Sequence, residues 1–168
     1  MLPARLRTFF LPGGFASAAV LLVSLRLESV LGLMPCSLCF SQRLLFGLYA
    51  LVCLCALLHA PGEAGKRNYA VVALGCSAGG ALLAARHVWL QGAGTVVDAC
   101  LMPFGRMLEQ SWDHVLKMLL LGGPDCTALT WSFVDLTLPE WSLLAFLSLS
   151  ALPLSWLLAY RLRTLGKG

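Results

Sequence analysis

Charge is what this sequence has least of. Asp, Glu, Lys and Arg together make up 12% of its 168 residues, against about 25% in a typical soluble domain. Apolar residues reach 59%, more than a water-facing fold of this length can hide. A soluble globular domain is thereby excluded, and lipid is the expected solvent. The long apolar runs contain no acid at all, which denies a metal transporter the intramembrane carboxylates it would use. No common interval separates those runs, so no internal repeat organises the chain. Nor do the basic residues form a nucleic-acid patch: the net charge of +4 is a topology signal.

Four uncharged windows are present: Thr8–Leu25, Leu44–Gly62, Asn68–Ala85 and Trp141–Tyr160. A spanning helix needs roughly 17–25 predominantly apolar residues, and each window qualifies. The expected fold is an all-α membrane protein, a single domain built as a four-transmembrane-helix bundle with spans at about 8–27, 42–62, 68–87 and 141–160. The outer loops fall at about 28–41 and 88–140. The small residues Ala16, Ser17 and Ala18 lie inside the first window and no clean cleavage site follows, so the window is expected to stay as a helix.

Arg5 and Arg7, Lys66 and Arg67, and Arg161, Arg163 and Lys167 fall in three short segments on one face, with Glu63 the acid among them. The positive-inside rule makes that face, with both termini, cytoplasmic. The remaining acids, Glu28, Asp98, Glu109, Asp113, Asp125, Asp135 and Glu140, fall outside. Within the first window, Pro12, Gly13 and Gly14 are expected to loosen the helix start. Gly75 and Gly79 in the third have the small-xxx-small spacing of a packing face inside the bundle. In the long outer loop, Phe104, Met107, Leu108, Trp112, Val115, Leu116 and Leu119 recur at helical steps, opposite Arg106, Glu109, Gln110, Asp113 and Lys117. This is an amphipathic helix, lying in the headgroup plane or docked on a soluble partner, and ended by Gly122-Gly123-Pro124. Trp131, Phe133 and Trp141 suit an interfacial aromatic belt.

Of the seven cysteines, Cys53, Cys55 and Cys76 sit in mid-window, where a thiol behaves as a small hydrophobe. Cys36, Cys39, Cys100 and Cys126 lie in outer segments, where thiols readily pair. Pairing as 36–39 and 100–126 is one of three connectivities that four cysteines allow. A structural bridge explains the first pair poorly, because so small a loop holds little entropy; C-x-x-C is the usual form of a working dithiol. Arg43, four residues after Cys39, shares its helix face if the second helix has begun there, and a guanidinium and a helix N-terminus both favour a thiolate. Three alternatives stay open: a zinc site from the four outer cysteines, which lacks a second short knuckle; a metal-binding or metal-transport protein using the C-x-x-C pair; and a scaffold with structural disulfides. His87, at the outer end of the third window, is a candidate donor or proton carrier near Arg43, or a partner of a headgroup or carbonyl. His59 and His114 suit solvated faces.

Taken together, the four spans, "PCSLC" with Arg43 behind it, a second cysteine pair 26 residues apart and "FVDLTLPEW" (Phe133–Trp141) resemble the bacterial disulfide bond formation protein B (DsbB) family. The resemblance covers nearly the whole chain. It implies a quinone-reducing thiol oxidase of the bacterial inner membrane that reoxidises a periplasmic DsbA-like thiol oxidase. Cys36 and Cys39 would hand electrons to ubiquinone or menaquinone, with Cys39 engaging the ring and Arg43 and His87 binding it. Cys100 would take the mixed disulfide with the partner, and Cys126 would exchange with Cys36. Gln42 stands where the best-known members carry an acid. The energetics fit: a DsbA-type partner is already a strong oxidant at about −120 mV, and the stronger acceptor it needs is dissolved in the bilayer.

Overall fold

The computed structural model describes residues 4–32, 36–92, 111–123, 126 and 132–166. In chain order these form helices α1 (Ala4–Leu31), α2 (Ser37–His59), α3 (Glu63–Gly92) and α4 (Trp112–Leu121), antiparallel strands β1 (Ser132–Phe133) and β2 (Leu136–Thr137), and helix α5 (Leu138–Leu165). Four of the helices, α1, α2, α3 and α5, are long and apolar enough to cross a membrane. The chain is a multi-pass membrane protein.

The helices depart from the expected spans at their ends. α1 runs to Leu31 and α2 starts at Ser37, so the loop expected at 28–41 is only a short link. A helix satisfies its own backbone groups, and nothing obliges it to stop where the hydrocarbon does. α2 ends before residue 62 because Ala60 takes a left-handed conformation (φ 44°, ψ 52°) and Pro61 cannot continue the helix.

Lipid supplies no hydrophobic drive between helices, so close packing and interhelical hydrogen bonds must hold the bundle. Round the bundle, α1 packs on α2, α2 on α3, and α3 most extensively on α5; the seam between α1 and α5 is slight. Phe46 and Phe146 stack with centroids 3.9 Å apart and planes 10° apart, a contact worth about 0.5–1.5 kcal/mol. Gly80 makes room for it: a Cβ there would lie 2.2 Å from the Phe146 ring. The expected packing face at Gly75 and Gly79 is therefore displaced. Among the described residues, Gly75 has open space around it, and Gly79 reaches only Leu45, at 3.9 Å. Gly13 and Gly14, expected to loosen α1, instead bring it close to Tyr49 and Cys53 of α2. The Ser17 hydroxyl donates to the Phe46 carbonyl (2.7 Å) and the Tyr49 hydroxyl to the Leu149 carbonyl (3.1 Å). Each such bond contributes about 0.6–2 kcal/mol within a bilayer.

α4 lies against the start of α2. Its apolar residues divide: Val115 is buried, while Trp112, Leu116 and Leu120 are exposed. The part of the expected amphipathic helix before Ser111 lies outside the described residues. A helix leaves its last carbonyls without internal partners. Here Ser41 Oγ donates to the Leu119 carbonyl (2.8 Å) and Arg86 Nε to the Leu121 carbonyl (3.4 Å). α2 and α3 thus hold the C-terminal end of α4. Gly122 follows at φ 82°, with Leu38 and Leu90 each 2.8 Å from where a Cβ would stand. Both the conformation and the space require glycine.

The β1–β2 hairpin turns through Val134 and Asp135, both left-handed (φ 54° and 59°). Such turns ordinarily carry Asn and Gly, so the hairpin had no turn signal in the sequence. Trp141 Nε1 donates to the Phe133 carbonyl (3.1 Å); Trp131 lies outside the described residues. α5 opens on a cap in which the Glu140 carboxylate accepts from the Thr137 N–H (2.6 Å) and hydroxyl (2.9 Å), satisfying a donor the helix start leaves open.

Candidate redox centre

Cys36 occupies the N-cap of α2, with extended backbone (φ −73°, ψ 165°). Its sulfur takes the place of the usual cap oxygen and accepts from the Cys39 N–H at 3.4 Å. The first turn of the helix brings Cys39 Sγ to 3.0 Å from Cys36 Sγ. The C-x-x-C pair therefore sits at a helix N-terminus, where the macrodipole favours an anionic sulfur.

Cys126 arrives from the opposite direction. The held end of α4 and the Gly122–Gly123 turn direct the chain back over α2, and the Cys126 N–H donates to the Gly123 carbonyl (3.0 Å). Cys126 Sγ ends 3.5 Å from Ser37 Oγ. His87, buried on α3, places Nε2 3.6 Å from Cys36 Sγ. The donor atoms of Cys36, His87 and Cys126 all lie within 4.8 Å of one another. Cys36 is thus the junction between one cysteine of the helix pair and one of the long outer segment.

The electrostatics separate the two sulfurs. Cys126 and Cys39 are both acceptors for the single Cys36 thiol proton, and with burial this holds that proton on well above the ordinary thiol range. The same hydrogen bond from Cys36, aided by Ser37 and backbone N–H groups, lowers Cys126 to about 6. Cys126 is therefore the thiolate and Cys36 the thiol when both are reduced.

Arg43, four residues along α2 from Cys39, turns its guanidinium toward α1. Its Nη1 pairs with Glu28 of α1, and its Nη2 donates to the Ser24 carbonyl (3.3 Å). Ser24 also lines an apolar groove of about 420 Å³ between α1, the hairpin and α5, with Val20, Leu27, Trp141 and Ala145. Five of the six expected site residues, Cys36, Cys39, Arg43, His87 and Cys126, thus lie at one end of the bundle; Cys100 lies outside the described residues. Three further participants escaped the sequence reading. Glu28 falls in the expected loop at 28–41, Ser37 is a spacer inside "PCSLC" with no role of its own, and Gln42 stands only as a departure from the family pattern. Gln42 is buried, with Nε2 3.4 Å from His87 Nδ1. Cys53 and Cys76 belong to the bundle core, apart from this centre.

Cys36, His87 and Cys126 are soft donors that a thiophilic cation could bridge, but the comparisons with known proteins give the metal alternative no support. The family model for disulfide bond formation protein DsbB matches residues 6–156. Disulfide bond formation protein B 2 of Pseudomonas putida is 66% identical over 99% of each chain. The protein of that name from Pseudomonas entomophila is 62% identical over 95% of each. Disulfide bond formation protein B 1 of Pseudomonas aeruginosa is 38% identical over 84% of this chain and 88% of its own. No solved structure matches the chain. A family model spanning nearly the whole sequence, and relatives this similar over nearly their full lengths, place the chain in the disulfide bond formation protein DsbB family.

Proposed function

We propose that this chain is the quinone-linked thiol oxidase of a bacterial inner membrane, with both termini cytoplasmic and the redox centre facing the periplasm. It takes an electron pair from a reduced DsbA-type dithiol protein and passes it to a membrane quinone. The observation that carries this reading is Cys36 Sγ, 3.0 Å from Cys39 Sγ and within 4.8 Å of Cys126 Sγ. Disulfide exchange requires an attacking thiolate, a reachable sulfur and a leaving thiolate on its far side, and three neighbouring sulfurs supply them.

The steps balance as follows. A partner thiolate attacks Cys100; the Cys100–Cys126 bond breaks, and Cys126 leaves as a thiolate. Cys126 attacks Cys36; a Cys36–Cys126 bond forms, the Cys36–Cys39 bond breaks, and Cys39 keeps the electron pair. The partner's second thiolate then displaces Cys100, and the partner departs oxidised. Cys100 returns to Cys126 and releases Cys36, which closes again on Cys39 as the electron pair departs.

A bound quinone would supply the acceptor for two electrons and two protons. The residues present fit such a group: an apolar groove for the lipid-soluble part, and Arg43, which bonds the carbonyl of the groove residue Ser24, to hold a reduced oxygen anion. Cys39 would be the sulfur that passes the electron pair on to that group.

The test is to add quinone to membranes holding the protein together with a reduced DsbA-type protein, and to follow thiol loss and quinone reduction together. One quinone should be reduced for every two thiols lost, and both should stop in Cys36→Ser and Cys39→Ser variants. Thiol loss without quinone reduction would overturn the proposal.

A further inference from the structure

Behind the sulfurs lie two buried polar side chains, Gln42 and His87, each 3% exposed. Gln42 Nε2 stands 3.4 Å from His87 Nδ1, and His87 Nε2 stands 3.6 Å from Cys36 Sγ. An amide nitrogen donates and does not accept. With Gln42 donating to it, Nδ1 is the ring's acceptor, and the ring proton sits on Nε2, 3.6 Å from the Cys36 sulfur, while the ring also hydrogen-bonds Cys39.

We propose that His87 serves the exchange as a fixed hydrogen-bond donor to the Cys36 sulfur, and that Gln42 is the positioning residue that sets its tautomer. This deepens, and rests on, the thiol-oxidase reading above. In the step that releases Cys36, an incoming thiolate bonds to Cys126, the Cys36–Cys126 bond breaks, and the electron pair stays on Cys36. No proton changes hands. A donor already in place holds the arriving charge without reorganisation, the logic of an oxyanion hole applied to sulfur. A proton carrier would need its second nitrogen open to a relay, and here the Gln42 amide covers that nitrogen. The titratable groups facing the ring among the described residues are Cys36 before α2, Cys39 on α2 and Cys126 after α4. Arg86, the neighbour on α3, is engaged by the Leu121 carbonyl.

A carboxylate in place of Gln42 would accept from Nδ1–H instead, turning a bare Nε2 toward the sulfur in the neutral ring. Gln42 is therefore matched to a donor histidine.

Two variants of the full-length protein separate donor from carrier. His87→Gln keeps an N–H donor and cannot carry a proton; His87→Leu keeps bulk and does neither. With thermal stability checked in both, His87→Gln should oxidise reduced DsbA-type protein within a few-fold of the parent rate. His87→Leu should fall on the order of 10–100-fold, somewhat less than the loss of a donor to oxygen. Equal loss in both would overturn the donor role, as would equal retention. Histidine ¹⁵N NMR reads the tautomer directly, and with three histidines in the chain the assignment is short. The parent should show a protonated Nε2 and a bare Nδ1 at His87, and Gln42→Glu should reverse or abolish that signature. A protonated Nδ1 in the parent would overturn the role of Gln42. Parent protein that reduces no quinone would instead sink the thiol-oxidase reading, while the NMR signature stayed readable.

Discussion

At the scale of single residues, the centre divides its protons unequally between neighbouring sulfurs. With Cys126 lowered to about 6 by the Cys36 hydrogen bond and buried away from alkylating reagents, its thiolate is read by ultraviolet absorbance: the share that Cys126→Ser removes should be nearly constant above pH 7. That share should fall as pH drops through about 6, where the thiolate is protonated; an ordinary thiol falls off near pH 8.5 instead. Cys36→Ala removes the donor and should move that fall upward, toward the ordinary range. Absorbance titrations of the reduced proteins, with and without Cys126→Ser, check both statements. Arg43 carries a different expectation. Its partner Glu28 is partly exposed, and such a pair contributes about 0.2–1 kcal/mol. Glu28→Gln releases the guanidinium and should lower the apparent KM for quinone by up to about fivefold, whereas Arg43→Ala should raise it. Steady-state quinone kinetics decide. Glu28 was hidden from the sequence because α1 was expected to end near residue 27; the extra helical turn is what carries the carboxylate across to α2. Gln42 was hidden because nothing in a sequence states which nitrogen of a distant histidine needs a donor.

At the scale of elements, the spans were legible because membrane crossing is a local rule: enough apolar residues in a row, without charge, dictates a helix. The C-x-x-C pair at a helix start was legible for the same reason, since spacing along one helix is local. The rotation of each helix about its axis was not. Gly75, Gly79 and Gly80 lie within two turns of α3, and one step along the helix is about 100° around it. Only the position of Phe146 decides that Gly80 is the one that packs. Gly80→Ala should therefore lower the Tm of the purified protein in detergent, with a loss of about 1–3 kcal/mol from overpacking, while Gly75→Ala leaves it unchanged. Gly80→Ala with Phe146→Leu should recover part of the loss. Gly122→Ala belongs to the same scale with another readout. It strains a left-handed residue and crowds Leu38 and Leu90, so it should slow exchange through Cys126 more than it lowers Tm. Exchange rates and melting curves measured together distinguish the two effects.

At the scale of the whole molecule, the bundle is closed firmly on three seams and slightly on the fourth. The groove lined by Val20, Ser24, Leu27, Trp141 and Ala145 lies along that fourth seam. Filling it with Ala145→Trp should raise the apparent KM for quinone about tenfold, a loss near 1.4 kcal/mol. Formation of the Cys36–Cys126 bond, followed by thiol trapping, should continue. Equal slowing of both steps would mean that the bulk disturbs the bundle rather than the groove. The loosely joined flank also has a kinetic meaning. A hydrophobic electron carrier can approach and leave sideways within its own leaflet, never wetting its ring in the aqueous phase. Turnover would then be governed by two-dimensional traffic, sensitive to acyl-chain order and to how many carrier molecules each lipid patch holds, and indifferent to their vanishing concentration in water.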